Sequence, residues 1–180
     1  MKIPNHIYEI EFTDEMIDIA YQRSIEIKKS FNNSITKDKG RTSGFLGEEA
    51  FKNFSGATPT EGREIWSSDC TLNNEKLEIK TKRSLYKPKL DYSQSINVNS
   101  KHQKPDVYVF LHLQFKDREQ AEDGNWIYYN PIHIFIDGYK KYQDFWDNAY
   151  TLNIGESDGN NNYKSKSKQY NLLIEKLDLA

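Results

Sequence analysis

Two carboxylates and a lysine are set to meet across a short hairpin. Asp69 lies in Ser67-Ser68-Asp69-Cys70-Thr71-Leu72, and Glu78 and Lys80 lie in Glu75-Lys76-Leu77-Glu78-Ile79-Lys80-Thr81. Asn73-Asn74 between them suits a two-residue hairpin loop, because Asn tolerates positive φ better than most residues. That loop pairs residue 72 with 75, 71 with 76, 70 with 77 and 69 with 78. Cys70, Leu72, Leu77 and Ile79 then form an apolar face, and Asp69, Thr71, Glu78 and Lys80 form the opposite, polar one. Asp69 and Glu78 would stand directly opposite, with Cβ atoms about 4.5–5.5 Å apart. Facing carboxylates repel, and a divalent cation between them reverses the sign. Mg2+ suits such a pair because it takes oxygen ligands and keeps waters for chemistry, with Mn2+ as a substitute. Lys80, on the same face, is placed to orient an attacking water or to stabilise an anionic transition state. A four-residue loop would set Asp69 against Lys80 and keep the shared face; only an odd slip destroys it.

The acid-x-Lys triplet alone says little. It occurs again as Glu26-Ile27-Lys28, in a stretch expected to be helical and with no paired strand acid upstream. The competing reading of Asp69, Glu78 and Lys80 is a polar sheet face with a cross-strand salt bridge.

The elements that must position these residues can be read from periodicity. Thr13-Asp14-Glu15 starts a helix that continues through Ile17, Ala20, Ser24, Ile27 and Phe31, and residues 32–43 read as a polar loop. A second helix runs from Gly44 to Ser55, with Leu46, Ala50 and Phe54 as its apolar stripe and Gly56 as its stop. Strands follow at 65–72 and 77–82, and residues 83–104, polar and basic with no clear period, read as a loop or an irregular extension. Asp106 to Phe115 is a strand apolar on both faces, which belongs in the middle of a covered sheet, with helices on both sides. An acidic turn at 117–125 leads to a strand at 126–129 that Pro131 interrupts. A short helix at 139–149, a mobile loop at 155–167 and a closing strand at 169–173 with a helical turn complete the chain. No internal repeat is visible.

With 180 residues, 36% apolar and 29% charged, one domain is expected, its core built largely from 12 Tyr, 9 Phe and 3 Trp. There is no apolar run for a signal peptide or a membrane span, and one cysteine, Cys70, cannot form an internal disulfide. A cytoplasmic protein is the expectation. A homodimer is compatible with the sequence and not derivable from it. The net charge is −2, yet residues 76–104 carry eight Lys/Arg against two acids, so this segment is +6 and the remainder −8. It would draw a polyanion, and its candidate contacts are Lys82, Arg83, Lys87, Lys89, Lys101 and Lys104. The bland alternative is a solvated basic loop. The four histidines show no ligand spacing, and His112, within the apolar strand, reads as a hydrogen-bonded structural residue. The Tyr and Trp residues read as packing, with Tyr86 and Tyr92, among lysines, best placed to stack on bases.

The order of these parts resembles the PD-(D/E)XK nuclease superfamily. Gly44-Phe45-Leu46-Gly47-Glu48-Glu49-Ala50-Phe51 is similar to its glutamate-bearing helix, Ser68-Asp69 to its aspartate strand, and Glu78-Ile79-Lys80 to its Glu-x-Lys strand. Lys104-Pro105-Asp106-Val107-Tyr108, Gly124-Asn125-Trp126-Ile127 and Tyr170-Asn171-Leu172-Leu173 resemble later segments. The likeness covers about 44–179, leaving 1–43 as an N-terminal helical extension without a role. Ser68 stands where the superfamily's name has Pro, which supplies no ligand. The resemblance implies an α/β, restriction-endonuclease-like mixed β-sheet flanked by helices. It implies a Mg2+-dependent endonuclease acting on DNA most readily, with RNA open. Asp69, Glu78, the Ile79 backbone carbonyl and outer-shell Glu48 would hold the metal, Lys80 would assist the water, and Glu49 would face solvent. The rival is a nucleic-acid-binding or regulatory module that keeps the fold without cleavage.

Overall fold

A computed structural model of the chain describes residues 7–30, 41–60, 67–158 and 164–178. Its elements in order are β1 (Tyr8–Ile10), α1 (Asp14–Ser30), α2 (Arg41–Ser55), β2 (Thr58–Pro59), β3 (Cys70–Leu72) and β4 (Glu75–Ser84). There follow β5 (Ser93–Asn97), a 3-10 turn (Val98–His102), β6 (Val107–Gln120), β7 (Trp126–Lys141), α3 (Tyr142–Asn148), β8 (Tyr150–Leu152), β9 (Gln169–Leu173) and a closing 3-10 turn (Ile174–Lys176).

The chain is a mixed α/β fold. A six-stranded sheet has the order β1-β7-β6-β4-β3-β2, and a three-stranded sheet the order β5-β9-β8. All pairings in the larger sheet are antiparallel except β4 with β6, which run parallel from Leu77↔Val107 to Ser84↔Gln114. The apolar strand at 107–115 is therefore central, as expected, between β4 and β7. Its alternating side chains divide the core in two. Val107, Val109, Leu111, Leu113 and Phe115 pack with Leu46, Ala50 and Phe51 of α2 and Ala20 of α1. Tyr108 and Phe110 point the other way, onto Phe145 of α3, Ile96 of β5 and Leu172 of β9. Helices thus cover one face, and the small sheet with α3 covers the other. No helix among the described residues is long and apolar enough to cross a membrane.

Several expectations are corrected. In α2, Phe54 is 49% exposed and Phe51 is buried in its place; Phe54 rests on Tyr8. The helix does stop at Gly56, which has φ +72° and donates to the Lys52 carbonyl. Pro131 does not end the strand: β7 passes through it to Lys141. The ladder shifts register between Gln114 and Phe115, next to Asn130 at φ +57°, and a bulge tolerates the missing N–H. Residues 83–104 are not one loop, since β4 reaches Ser84 and β5 with its 3-10 turn lies within them. The start of the strand expected at 65, most of the loop at 32–43, His6 and residues 159–163 lie outside the described residues.

Candidate active site

The hairpin has the expected register, with Leu72↔Glu75, Thr71↔Lys76 and Cys70↔Leu77 paired. Asn73 (φ 50°) and Asn74 (φ 67°) make its loop, the left-handed pair that a two-residue connection requires. Cys70, Leu77 and Ile79 join the core under α2, with Leu72 packed against it. The ladder then stops one residue short of the proposed pair. The Asp69 N–H still donates to the Leu77 carbonyl at 3.0 Å, but its side chain turns to the edge of β4. There Asp69 Oδ2 accepts from the Ile79 N–H at 2.7 Å. With no further β3 carbonyl to meet that N–H, the carboxylate supplies a charge-assisted acceptor. Asp69 thus caps the neighbouring strand instead of facing Glu78 across a continued ladder.

Glu78 is 3% exposed. Its Oε1 accepts from Lys80 Nζ at 2.6 Å, and that ammonium also donates to Gln103 Oε1 at 3.1 Å. Its Oε2 is buried and has no hydrogen-bond partner. Burial raises the Glu78 pKa above the usual carboxylate range, and the charge of Glu48 adds to the rise; Lys80 works against both. The residue forms part of the wall of a cleft of about 140 Å³ with Ser67, Ser68, Lys76, Gln103 and Lys104. Gln103 and the cleft rim follow from the parallel β4–β6 pairing, which returns the residues before β6 to the start of β4. Sequence reading missed Gln103, because only knowledge of that pairing would have singled it out.

Glu48 reaches this region because Gly47 lets α2 lie directly on β4. A Cβ at Gly47 would stand 2.1 Å from Thr81 Oγ1. Glu48 is 8% exposed, and Arg23 of α1 donates to its Oε2 at 2.7 Å. Arg23 also pairs with Glu49, which accepts from Lys52 at 2.8 Å. Glu49 is therefore not solvent-facing as expected: its side chain is 19% exposed and doubly paired, and these cations lower its pKa against the opposing effect of burial. The first helix, to which the sequence assigned no role, supplies the arginine that holds both acids. The negative field nearby is visible at Cys70, whose thiol is pushed up to about 12 by burial and then by Asp69, with Glu48 and Glu78 adding to it. Among the described residues, no three or more His, Cys, Asp or Glu side chains gather as a metal-binding group. Asp69, Glu78 and Glu48 are neighbours, not a closed ligand cluster.

The basic segment is spread over the molecule. Lys104 is in the cleft wall, and Lys101 lies over the Trp146 and Tyr170 rings at 5.4 and 5.7 Å. Arg83 stands over Tyr128, Lys87 over Phe135 and Lys89 over Tyr92. Lys82 turns inward, donating to the Ser93 carbonyl at 2.6 Å, and burial lowers its pKa. His112 is buried, as expected of a structural residue, with Nδ1 3.7 Å from Asp137 Oδ2.

No protein-family model, curated protein or solved structure matches this chain.

Proposed function

We propose that the chain is a Mg2+-dependent endonuclease of the PD-(D/E)XK kind, with a restriction-endonuclease-like fold, hydrolysing phosphodiester bonds at the cleft whose wall includes Glu78. DNA is the favoured substrate and RNA the alternative. Glu78 carries the reading: a buried carboxylate on a cleft wall, with a lysine on Oε1, Gln103 close by, and no direct hydrogen bond to Oε2. A charge so placed costs several kcal/mol unless a further partner offsets it. Mg2+ commonly uses one or two protein carboxylates, its own waters and substrate phosphates, so Glu78 and Asp69 meet its needs without a third converging acid. The Ile79 carbonyl leaves the strand on the same side as the N–H that Asp69 caps, and Glu48 adds outer negative charge. When bound, the cation would supply an activated water and neutralise phosphate charge. Lys80, held by Gln103, is positioned to steady the attacking water, and Lys76 and Lys104 draw the phosphate backbone to the cleft.

The test is cleavage of labelled DNA and RNA in Mg2+, in Mn2+ and in chelator. Glu78→Gln and Lys80→Ala are expected to abolish metal-dependent cleavage, and undiminished cleavage by Glu78→Gln refutes the site. One observation favours a non-cleaving nucleic-acid-binding module instead: Asp69, Glu78 and Glu48 each already have a protein partner. A rise in melting temperature with Mg2+ that Glu78→Gln abolishes supports the nuclease. No shift in the wild-type chain supports the module.

A further inference from the structure

Beside the cleft lies a row of half-buried aromatic rings. Trp146 of α3 and Tyr170 of β9 meet edge to face, with centroids 4.8 Å apart and planes at 74°. Tyr142 continues the row 6.1 Å from Trp146 and stacks on Tyr108, 5.9 Å away at 30°. Two exposed cations rim it. Lys101 Nζ stands 5.4 Å from the Trp146 centroid and 5.7 Å from that of Tyr170, and Lys168 reaches Tyr170 from 5.8 Å. In the floor, Tyr108 is fully buried and its hydroxyl faces the indole N–H of Trp146.

The row is joined to the cleft twice. Tyr108 pairs with Glu78 in the β4–β6 register. Lys101 lies two residues before Gln103, which accepts from Lys80, and Lys104 follows in the cleft wall. Rings on a surface bordered by lysines match a strand whose bases are unstacked and whose phosphates run alongside. A duplex keeps its base faces inside the helix and offers such rings nothing to stack on.

We propose that Trp146, Tyr170 and Tyr142, with Lys101 and Lys168, form a stacking platform for unpaired nucleic acid, so that the cleft's substrate is single-stranded or carries a single-stranded stretch beside the scissile bond. The second clause rests on the nuclease reading; the platform itself does not. The test is binding in chelator, where no metal-dependent cleavage intervenes, of short oligothymidylate, oligouridylate and a blunt DNA duplex to the full chain, by anisotropy and tryptophan fluorescence. Both single strands are expected to bind more tightly than the duplex and to quench fluorescence. Trp146→Leu is expected to weaken single-strand binding by about tenfold or more, the loss of one stacked base, and Trp146→Phe to restore much of it. A duplex bound as tightly as the single strands overturns the proposal, as does Trp146→Leu binding them like wild type. Should Trp146→Leu fail to fold, the surface variant Lys101→Gln/Lys168→Gln decides, and unchanged single-strand affinity in it overturns the platform. A chain that binds single strands through Trp146 yet cuts nothing in Mg2+ keeps the platform and loses the nuclease. One that cuts duplex and single strand equally, with or without Trp146, keeps the nuclease and loses the platform.

Discussion

Gly47→Ala tests how Glu48 is brought to the sheet. A Cβ there would meet Thr81 Oγ1 at 2.1 Å, Thr81 Cβ at 3.1 Å and Leu111 Cδ1 at 3.2 Å. Inside a helix, Ala is favoured over Gly by roughly 0.8–1.0 kcal/mol, so propensity alone would make the variant more stable. Overpacking a tight contact costs about 1–3 kcal/mol. Leu111 is fully buried in the central strand, and Thr81 is paired opposite it in β4, so neither can retreat without disturbing the sheet. At the upper end of the overpacking range, which a 2.1 Å approach warrants, the clash should win, leaving a net loss of up to about 2 kcal/mol. Thr81 Oγ1 is buried without a hydrogen-bond partner, so Thr81→Ala sacrifices no such bond and opens the space the new methyl needs. The double variant should therefore recover most of the loss, with a coupling of about 1 kcal/mol or more, as expected for residues in contact. Urea midpoints at unchanged slope read the stabilities. Metal-dependent cleavage should fall in Gly47→Ala and return in the double variant, because a helix that backs away carries Glu48 with it. A single variant as stable as wild type, or strictly additive effects, would refute the packing of α2 on Thr81.

Two further outcomes are expected. In chelator at neutral pH, Glu78→Gln should be more stable than wild type, because Lys80 keeps Gln103 as an acceptor while the cost of a buried carboxylate is removed. The folded pKa of Glu78 is raised above its ordinary 4.5, so its contribution is fully present below that value and is lost as pH rises through the folded value. The stability gap between variant and wild type should therefore be smallest in acid and widen towards neutrality; urea midpoints that show it narrowing would contradict the burial account. Lys82→Met should cost about 3 kcal/mol or more, the usual loss when one side of a buried charge arrangement is removed. Its ammonium holds the Ser93 carbonyl and faces the charges of Asp158 and Asp137. Lys89→Met, at an exposed site, should stay within about 0.5 kcal/mol, and thermal melts that rank the two alike would return Lys82 to the surface.

Much of the larger sheet was legible because its signals are local. Period-two alternation marks β6, and Asn73-Asn74 fixes the hairpin register together with its apolar face. Of the small sheet, β9 was legible at Gln169–Leu173, but β5 was not, because it is Ser93-Gln94-Ser95-Ile96-Asn97, with one large apolar residue. Ser93 and Gln94 are buried at 2% and 1% exposure, made tolerable by hydrogen bonds to Asp158 and Asp137, 65 and 43 residues away. No local pattern announces a polar strand that is satisfied from so far off. β7 was cut short in the reading because Pro131 is a strand breaker only where the ladder is regular, and the ladder is irregular there.

The site divides along the same line. Glu78 and Lys80 share a face because i and i+2 do so in any strand, and the structure joins them at 2.6 Å. The fate of Asp69 depends on where β3 stops, which alternation cannot say. Arg23 and Gln103 depend on how α1 and the segment before β6 fold back. The basic run shows the difference most plainly. Eight cations within 76–104 suggest one surface only if the chain stays in one place, and it does not. β4 advances about 3.3 Å per residue, carrying Lys82 and Arg83 progressively away from Glu78, and Lys87 and Lys89 lie beyond its end. The parallel pairing then brings the chain back, so that Lys104, distant from Glu78 in sequence, shares its cleft wall, with Lys101 three residues before it. A phosphate backbone entering the cleft would meet these two and Lys76 first, and neutralising Lys87 and Lys89 should matter less than their charge in the sequence suggests.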